Sequence, residues 1–230
     1  MDVRGMEYVI DAYDKGQGVL LFTYHFTSLE IGCAGVNRHY PHLSYGVYRP
    51  HANKVYDYVM LKGRERHTKT HGAVPRRDVR RMVRALRKGQ MLIYLPDQDY
   101  GHKYSVFVPF FGVDAATVTA PSQLVKMGRA KVFSFCATRK EDGSGYLVQV
   151  YPEFEGYGSD DETVDARLTN EFLEARIREF PDQYLWAHRR FKSRPDNNRD
   201  FYGLSALKSF QRRQKRRAKE RLKKQMQKQK

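Results

Sequence analysis

"GVLLFTYHFTSLEIG", residues 18–32, runs from an apolar stretch into a helix start and carries His25 and Glu30 five positions apart at the junction. Residues 19–24 have the aliphatic, β-branched and aromatic character of a buried strand, and the small polar Thr27 and Ser28 behind them are helix-start residues. His25 is therefore expected on a strand-to-helix turn.

The same alternation extends in both directions. Helices are predicted over 6–17, 28–40, 52–67, 76–90 and 121–130, with a long one from 161 closing at Pro181. Strands are predicted over 18–25, 43–50, 91–99, 131–140 and 146–154, the last two joined by the turn "EDGSG". "RRDVRRMVRALRKGQ" shows the helical period most clearly, with Val79, Met82, Val83 and Leu86 on one stripe and Gly89 as the stop. Strands alternating with helices imply an α/β fold: one domain over 1–195 with a mixed, partly parallel sheet flanked by helices, followed by a basic extension over 196–230, helical or disordered.

Composition sets the outer bounds. With 230 residues, 40% of them hydrophobic, the chain can bury one substantial core. Two cysteines, Cys33 and Cys136, show no metal-ligand spacing and are expected as free thiols in a reducing compartment. The net charge of +16 is unevenly spread: residues 205–230 hold twelve Lys or Arg against the single acid Glu220, so the tail carries +11 and the patterned region only +5. Such a tail is a solvated extension or a means of reaching anionic lipid or nucleic acid. A nucleic-acid-binding module is disfavoured because the charge lies outside the patterned domain. No run approaches the ~20 apolar residues of a spanning helix, and Asp2 and Arg4 directly after Met1 leave no signal peptide in view. The expected location is cytosolic or peripheral.

The His25–Glu30 pair has two readings. Thr27-x-x-Glu30 fits a capping box, in which Glu30 would bond the Thr27 backbone N–H and do nothing else. Alternatively Glu30 orients and polarises His25. Five residues on an ideal helix lie about 140° apart, so the pair meets only if His25 folds back from the loop toward the first turn.

His-x-x-x-x-Glu at a strand end is followed in order by "GVYRP" (46–50), "KGRERH" (62–67), "YLPDQDYG" (94–101), "SVFVPFFGV" (105–113) and "PDQYLWAHRRFKSRP" (181–195). These blocks resemble the bacterial late acyltransferases of lipid A biosynthesis, the lauroyl/myristoyltransferase family within the lysophospholipid acyltransferase superfamily. The resemblance covers nearly all of 1–195. It implies transfer of a fatty acyl chain from acyl carrier protein to the hydroxyl of a hydroxyacyl chain on lipid IV(A), usually bearing two Kdo sugars, at the cytoplasmic face of the inner membrane and without a metal or cofactor. Acyl coenzyme A acting on a phospholipid or glycolipid is the alternative.

On this resemblance His25 is the base and Glu30 its orienting carboxylate. Arg64 corresponds to an anion-holding arginine, and its planar guanidinium suits bidentate phosphate binding. Asp97 lies at the carboxyl end of a predicted strand, where ligands of open α/β sheets bind, although a cap in a Pro-containing turn would also place it there. Arg49, Arg189 and Arg190 are further candidates for phosphate or Kdo carboxylate, each equally readable as solvated surface. His67 and His71 have i,i+4 spacing but no adjacent carboxylate, so no metal site is expected. Two features depart from the family: its members begin with a hydrophobic anchor helix, whereas this sequence starts where the catalytic domain does, and Phe133 stands where relatives often carry Pro.

Overall fold

The run at 18–25 forms the central strand of a sheet. In the computed structural model, which describes residues 1–65, 71–196, 201–203, 211, 212 and 214, the chain begins with β1 (Asp2–Arg4), α1 (Met6–Asp14) and β2 (Gly18–Phe22), every residue of β2 being buried. It continues through α2 (Leu29–His39), β3 (Ser44–Tyr48), α3 (Lys54–Glu65), β4 (His71–Pro75), α4 (Val79–Arg87) and β5 (Met91–Tyr94). A two-stranded hairpin follows, β6 (Ser105–Phe110) and β7 (Val113–Val118), then α5 (Ala120–Gly128), β8 (Ala130–Arg139), β9 (Tyr146–Tyr151) and α6 (Glu162–Glu179).

Seven strands form one sheet in the order β1-β9-β8-β2-β5-β3-β4, parallel throughout except for the β8–β9 pair. The mixed α/β architecture read from the sequence is thus the observed one. β2 has parallel partners on both edges and helices over both faces, which is why it reads as an unbroken apolar run rather than an alternating one. Leu20, Phe22 and Tyr24 share a core with Met82, Leu86, Leu124 and Leu173, while Val19 and Leu21 belong to a second core with Val9, Val36 and Phe135. The two-residue period of the strand thus feeds two layers of helix.

Two helix starts, those of α4 and α6, carry side-chain caps. Asp78 accepts a hydrogen bond from Arg81 N at 3.1 Å and Asp161 accepts one from Thr163 N at 2.8 Å, satisfying donors that each first turn leaves free. α2 sits against β8 at Gly32, where an added Cβ would lie 2.4 Å from Ala137 Cβ. Only glycine allows that approach, and it fixes the depth of the helix beginning just after His25.

Several elements differ from the sequence reading. β2 ends at Phe22, leaving His25 three residues beyond it, and β5 ends at Tyr94 rather than running to Asp99. β1, β4, β6 and β7 are not among the expected strands; β1 and β4 carry too few apolar residues to stand out. Pro109 sits exposed within β6 of the hairpin, where its missing N–H costs no bond in the main sheet, and its carbonyl accepts Asn170 Nδ2 at 2.9 Å. Packing also continues past Arg194, because Phe201 meets Phe191 at a ring-centroid separation of 5.3 Å and Tyr202 Oη accepts Phe191 N at 3.0 Å. Apart from residues 211, 212 and 214, the basic tail from 205 onward lies outside the described residues, as does His67. Both cysteines are free thiols, and burial pushes the Cys33 thiol up to about 12. Among the described residues no helix is long and apolar enough to cross a membrane.

Candidate active site

β2 and β5 are parallel neighbours with Phe22 opposite Tyr94. His25 and Asp97 each lie three residues past those partners, so the same register that pairs the strands brings both side chains to one place at the carboxyl edge of the sheet. His25 Nδ1 lies 2.7 Å from Asp97 Oδ1, and the His25 backbone N–H donates to Asp97 Oδ2 at 2.9 Å. Tyr184 Oη donates to the same Oδ2 at 3.3 Å. The Asp97 side chain has no solvent exposure and that of His25 has 15%.

The segment after α6 holds this arrangement closed. Leu185 N donates to His25 O and Thr27 N donates to Gln183 O, with Phe26 and Tyr184 forming a bridge between them. Gln183 is itself fixed by paired bonds to the Arg139 backbone. His188 stacks on His25 at 5.6 Å between ring centroids and 11° between planes, with its Nε2 buried and unpartnered among the described residues.

The electrostatics follow from burial and pairing. Burial alone would lower the His25 pKa, but its hydrogen bond to Asp97 and the charge of that carboxylate outweigh it, and the imidazole titrates above its ordinary 6.5. Burial pushes Asp97 up, yet the bonds and charge of His25 bring it below the usual carboxylate range. His188 is held down, chiefly by burial. An ionised Asp97 can only accept, so Nδ1 of His25 carries a hydrogen and Nε2 of the neutral ring presents a lone pair. That lone pair faces Gln98, whose Nε2 is 2.9 Å away, and Tyr100 Oη donates to Gln98 Oε1 at 2.6 Å.

Glu30 is placed differently from either expectation. Arg64 on α3 donates to it through Nε at 3.2 Å and Nη2 at 2.5 Å, a forked pair joining α3 to the first turn of α2. The capping box is not formed, because the Thr27 N–H is taken by Gln183 O and α2 begins behind Ser28 without a side-chain cap. The carboxylate bonded to His25 is Asp97, in place of the expected Glu30: on α2 the Glu30 side chain turns outward to α3, while Asp97 arrives from the adjacent strand.

The other basic candidates divide. Arg49 and Arg189 are exposed. Arg190, expected to face a substrate anion, is 3% exposed and spends its guanidinium on Ala116 O, Thr117 Oγ1 and Asn170 Oδ1, tying the chain after His188 to β7 and α6. Asp99 is likewise committed, accepting Gly101 N, Ser193 N and Ser193 Oγ.

The sequence matches the family model "Bacterial lipid A biosynthesis acyltransferase" over residues 1–193. The chain belongs to this acyltransferase family. Among curated relatives it is 41% identical over 197 residues to the lipid A biosynthesis lauroyltransferase of Escherichia coli, covering 85% of this chain and 63% of the relative. It is 38% identical to the palmitoleoyltransferase of the same organism, covering 87% and 64%, and 39% identical to a lipid A biosynthesis acyltransferase of Haemophilus influenzae, covering 84% and 61%. The chain thus spans just under two thirds of the length of these relatives.

Three residues of this family member's site escaped the sequence reading: Gln98, Tyr184 and His188. Each lies inside a block that carried the resemblance, "YLPDQDYG" or "PDQYLWAHRRFKSRP", but none has a distinctive spacing to the others. Only the fold brings them to His25.

Proposed function

We propose that this chain catalyses transfer of a fatty acyl group from the thioester of acyl carrier protein to the hydroxyl of a hydroxyacyl chain on a Kdo-bearing lipid A precursor. The observation that carries the reading is the buried Asp97 bonded to His25 at 2.7 Å at the carboxyl edge of a mostly parallel sheet. An aliphatic alcohol attacks a thioester poorly until it loses its proton, and a positioned base is worth about 10²–10⁴-fold.

In this mechanism His25 Nε2 takes the acceptor O–H proton as the oxygen adds to the thioester carbon. The imidazolium is stabilised by Asp97, which also fixes the tautomer that makes Nε2 the accepting atom. Collapse of the tetrahedral intermediate breaks the C–S bond, and Nε2 returns the proton to the departing sulfur. Arg64, oriented by Glu30, supplies a cationic edge for a phosphate of the acceptor, with Arg49 and Arg189 as exposed additions. The acidic surface of a carrier protein would be attracted to that rim. The reaction takes place at the cytoplasmic face of the inner membrane, where the lipid acceptor is presented.

The test is a mass-spectrometric assay of the purified chain with Kdo-bearing lipid IV(A) and a panel of acyl carrier protein thioesters, with the matching coenzyme A thioesters in parallel. One added acyl chain from the carrier protein series, lost in His25→Ala, is the expected result. Acylation from coenzyme A alone would replace the donor, and no acylation from either would remove the assignment.

A further inference from the structure

The lone pair on which the proposed mechanism depends is occupied. Gln98 Nε2 lies 2.9 Å from His25 Nε2, about where an acceptor hydroxyl oxygen has to sit for its proton to be taken. The amide orientation is set from both sides: the neutral imidazole nitrogen accepts, so an N–H must face it, and the Tyr100 hydroxyl donates to the opposite atom at 2.6 Å. Tyr100 is in turn held under the Arg76 guanidinium, 5.1 Å from its ring centroid. Gln98 is half-buried, while Asp97 and Asp99 on either side are locked by their own hydrogen bonds.

From this geometry, and resting on the base role of His25, we infer that Gln98 is a further catalytic residue. When the acceptor hydroxyl displaces its amide from His25, the freed N–H donates to the thioester carbonyl oxygen as that oxygen becomes an anion.

The chemistry is balanced around that donor. The alcohol proton passes to His25 Nε2, the new C–O bond pushes the carbonyl electron pair onto oxygen, and the Gln98 N–H bonds to the resulting oxyanion. When the carbonyl re-forms, the C–S bond breaks and the sulfur leaves with the His25 proton, and Gln98 can return to the empty lone pair. The displaced hydrogen bond is exchanged rather than lost, and the new one strengthens as charge develops, so it lowers the barrier more than it aids ground-state binding. With the Tyr100 hydroxyl still at its oxygen, the amide pivots with N–H groups directed at the reacting centre.

Gln98→Met keeps length and volume but has no donor, and Gln98→Asn keeps the amide withdrawn by one methylene. Both are compared with wild type and His25→Ala for kcat and acceptor KM on Kdo-bearing lipid IV(A), with melting temperature as the check on folding. The expected result is a fall in kcat of about 10²-fold for Gln98→Met with acceptor KM within a few-fold, a similar fall for Gln98→Asn, and a smaller one for Tyr100→Phe. Should Gln98→Met match or exceed wild-type kcat while His25→Ala is inactive, Gln98 is only a plug in the resting site and the inference fails while the base reading stands. Retained activity in His25→Ala would remove both.

Discussion

Asp97→Asn changes one atom in the site and sets two bonds in opposition. The carboxylate accepts at both oxygens, from His25 Nδ1 at 2.7 Å and from the His25 backbone N–H at 2.9 Å, with Tyr184 Oη at 3.3 Å sharing the second oxygen. An Asn has a single accepting oxygen. If that oxygen stays with the backbone N–H and Tyr184, the NH₂ faces His25 Nδ1 and forces the ring into the tautomer with hydrogen on Nε2, which removes the base. If it turns to Nδ1, two donors face the NH₂ in a fully buried site, at a cost of about 1–3 kcal/mol. Turnover should fall by about 10²–10⁴-fold, the span of general-base catalysis. The pH profile supplies the second readout. A base must be deprotonated, so wild-type kcat/KM should rise with pH through a limb above 6.5, since Asp97 raises the imidazole against the downward pull of burial. Without the carboxylate only burial remains, and the residual activity should show that limb shifted to lower pH. Initial rates of acyl transfer from pH 5 to 9 on purified wild type, Asp97→Asn and Glu30→Gln measure both quantities. A normal plateau and an unmoved limb in Asp97→Asn, with both effects appearing in Glu30→Gln, would refute the assignment of Asp97 as the partner of His25.

Glu30→Gln should leave the acid limb where it is and raise acceptor KM, because Glu30 bonds Arg64 and not His25. Arg64→Lys should do the same, and the double variant should be less impaired than the two single effects combined. The pair is partly exposed, so its loss should shift stability by no more than about 1 kcal/mol. For the buried pair, stability is predicted to have a pH window. The lowered Asp97 contributes above its ordinary 3.8 and the raised His25 contributes below its ordinary 6.5, so the melting-temperature gap between wild type and Asp97→Asn should be widest between those values. A gap that grows steadily above pH 7 would contradict it. Gly32→Ala pushes a methyl to 2.4 Å from Ala137 Cβ and should cost about 1–3 kcal/mol in urea denaturation by lifting α2 from β8; a neutral result would mean that the helix has slack.

Part of this molecule was legible in the chain because local chemistry decides it. The apolar run at 18–25, the stripe of α4 and the capped length of α6 are set by side-chain period and by residues adjacent in sequence, which is why their positions were readable to within a few residues. That His25 and Asp97 stand at or just beyond strand ends was readable for the same reason, while the site roles given to them came from the resemblance of the surrounding blocks. β4 was not, since "HGAVP" acquires its strand character only from the neighbouring β3.

The pairing of His25 with Asp97 could not be read that way. The two are 72 positions apart and meet because β2 and β5 are adjacent and in register, a fact about the sheet order rather than about either segment. Glu30 was the expected partner because the His-x-x-x-x-Glu block resembles that of the family, yet a helix turns it away by geometry and α3 supplies the cation that it meets. Arg190 was readable as a substrate-facing or solvated cation, but the chain after α6 folds back over the site and buries it. Sequence determined most of the helices and central strands and, to within a few residues, where they end. The tertiary structure alone decided which of those ends touch, because hydrogen-bond partners across a sheet are chosen by register and packing, and neither is encoded in any one stretch of the chain.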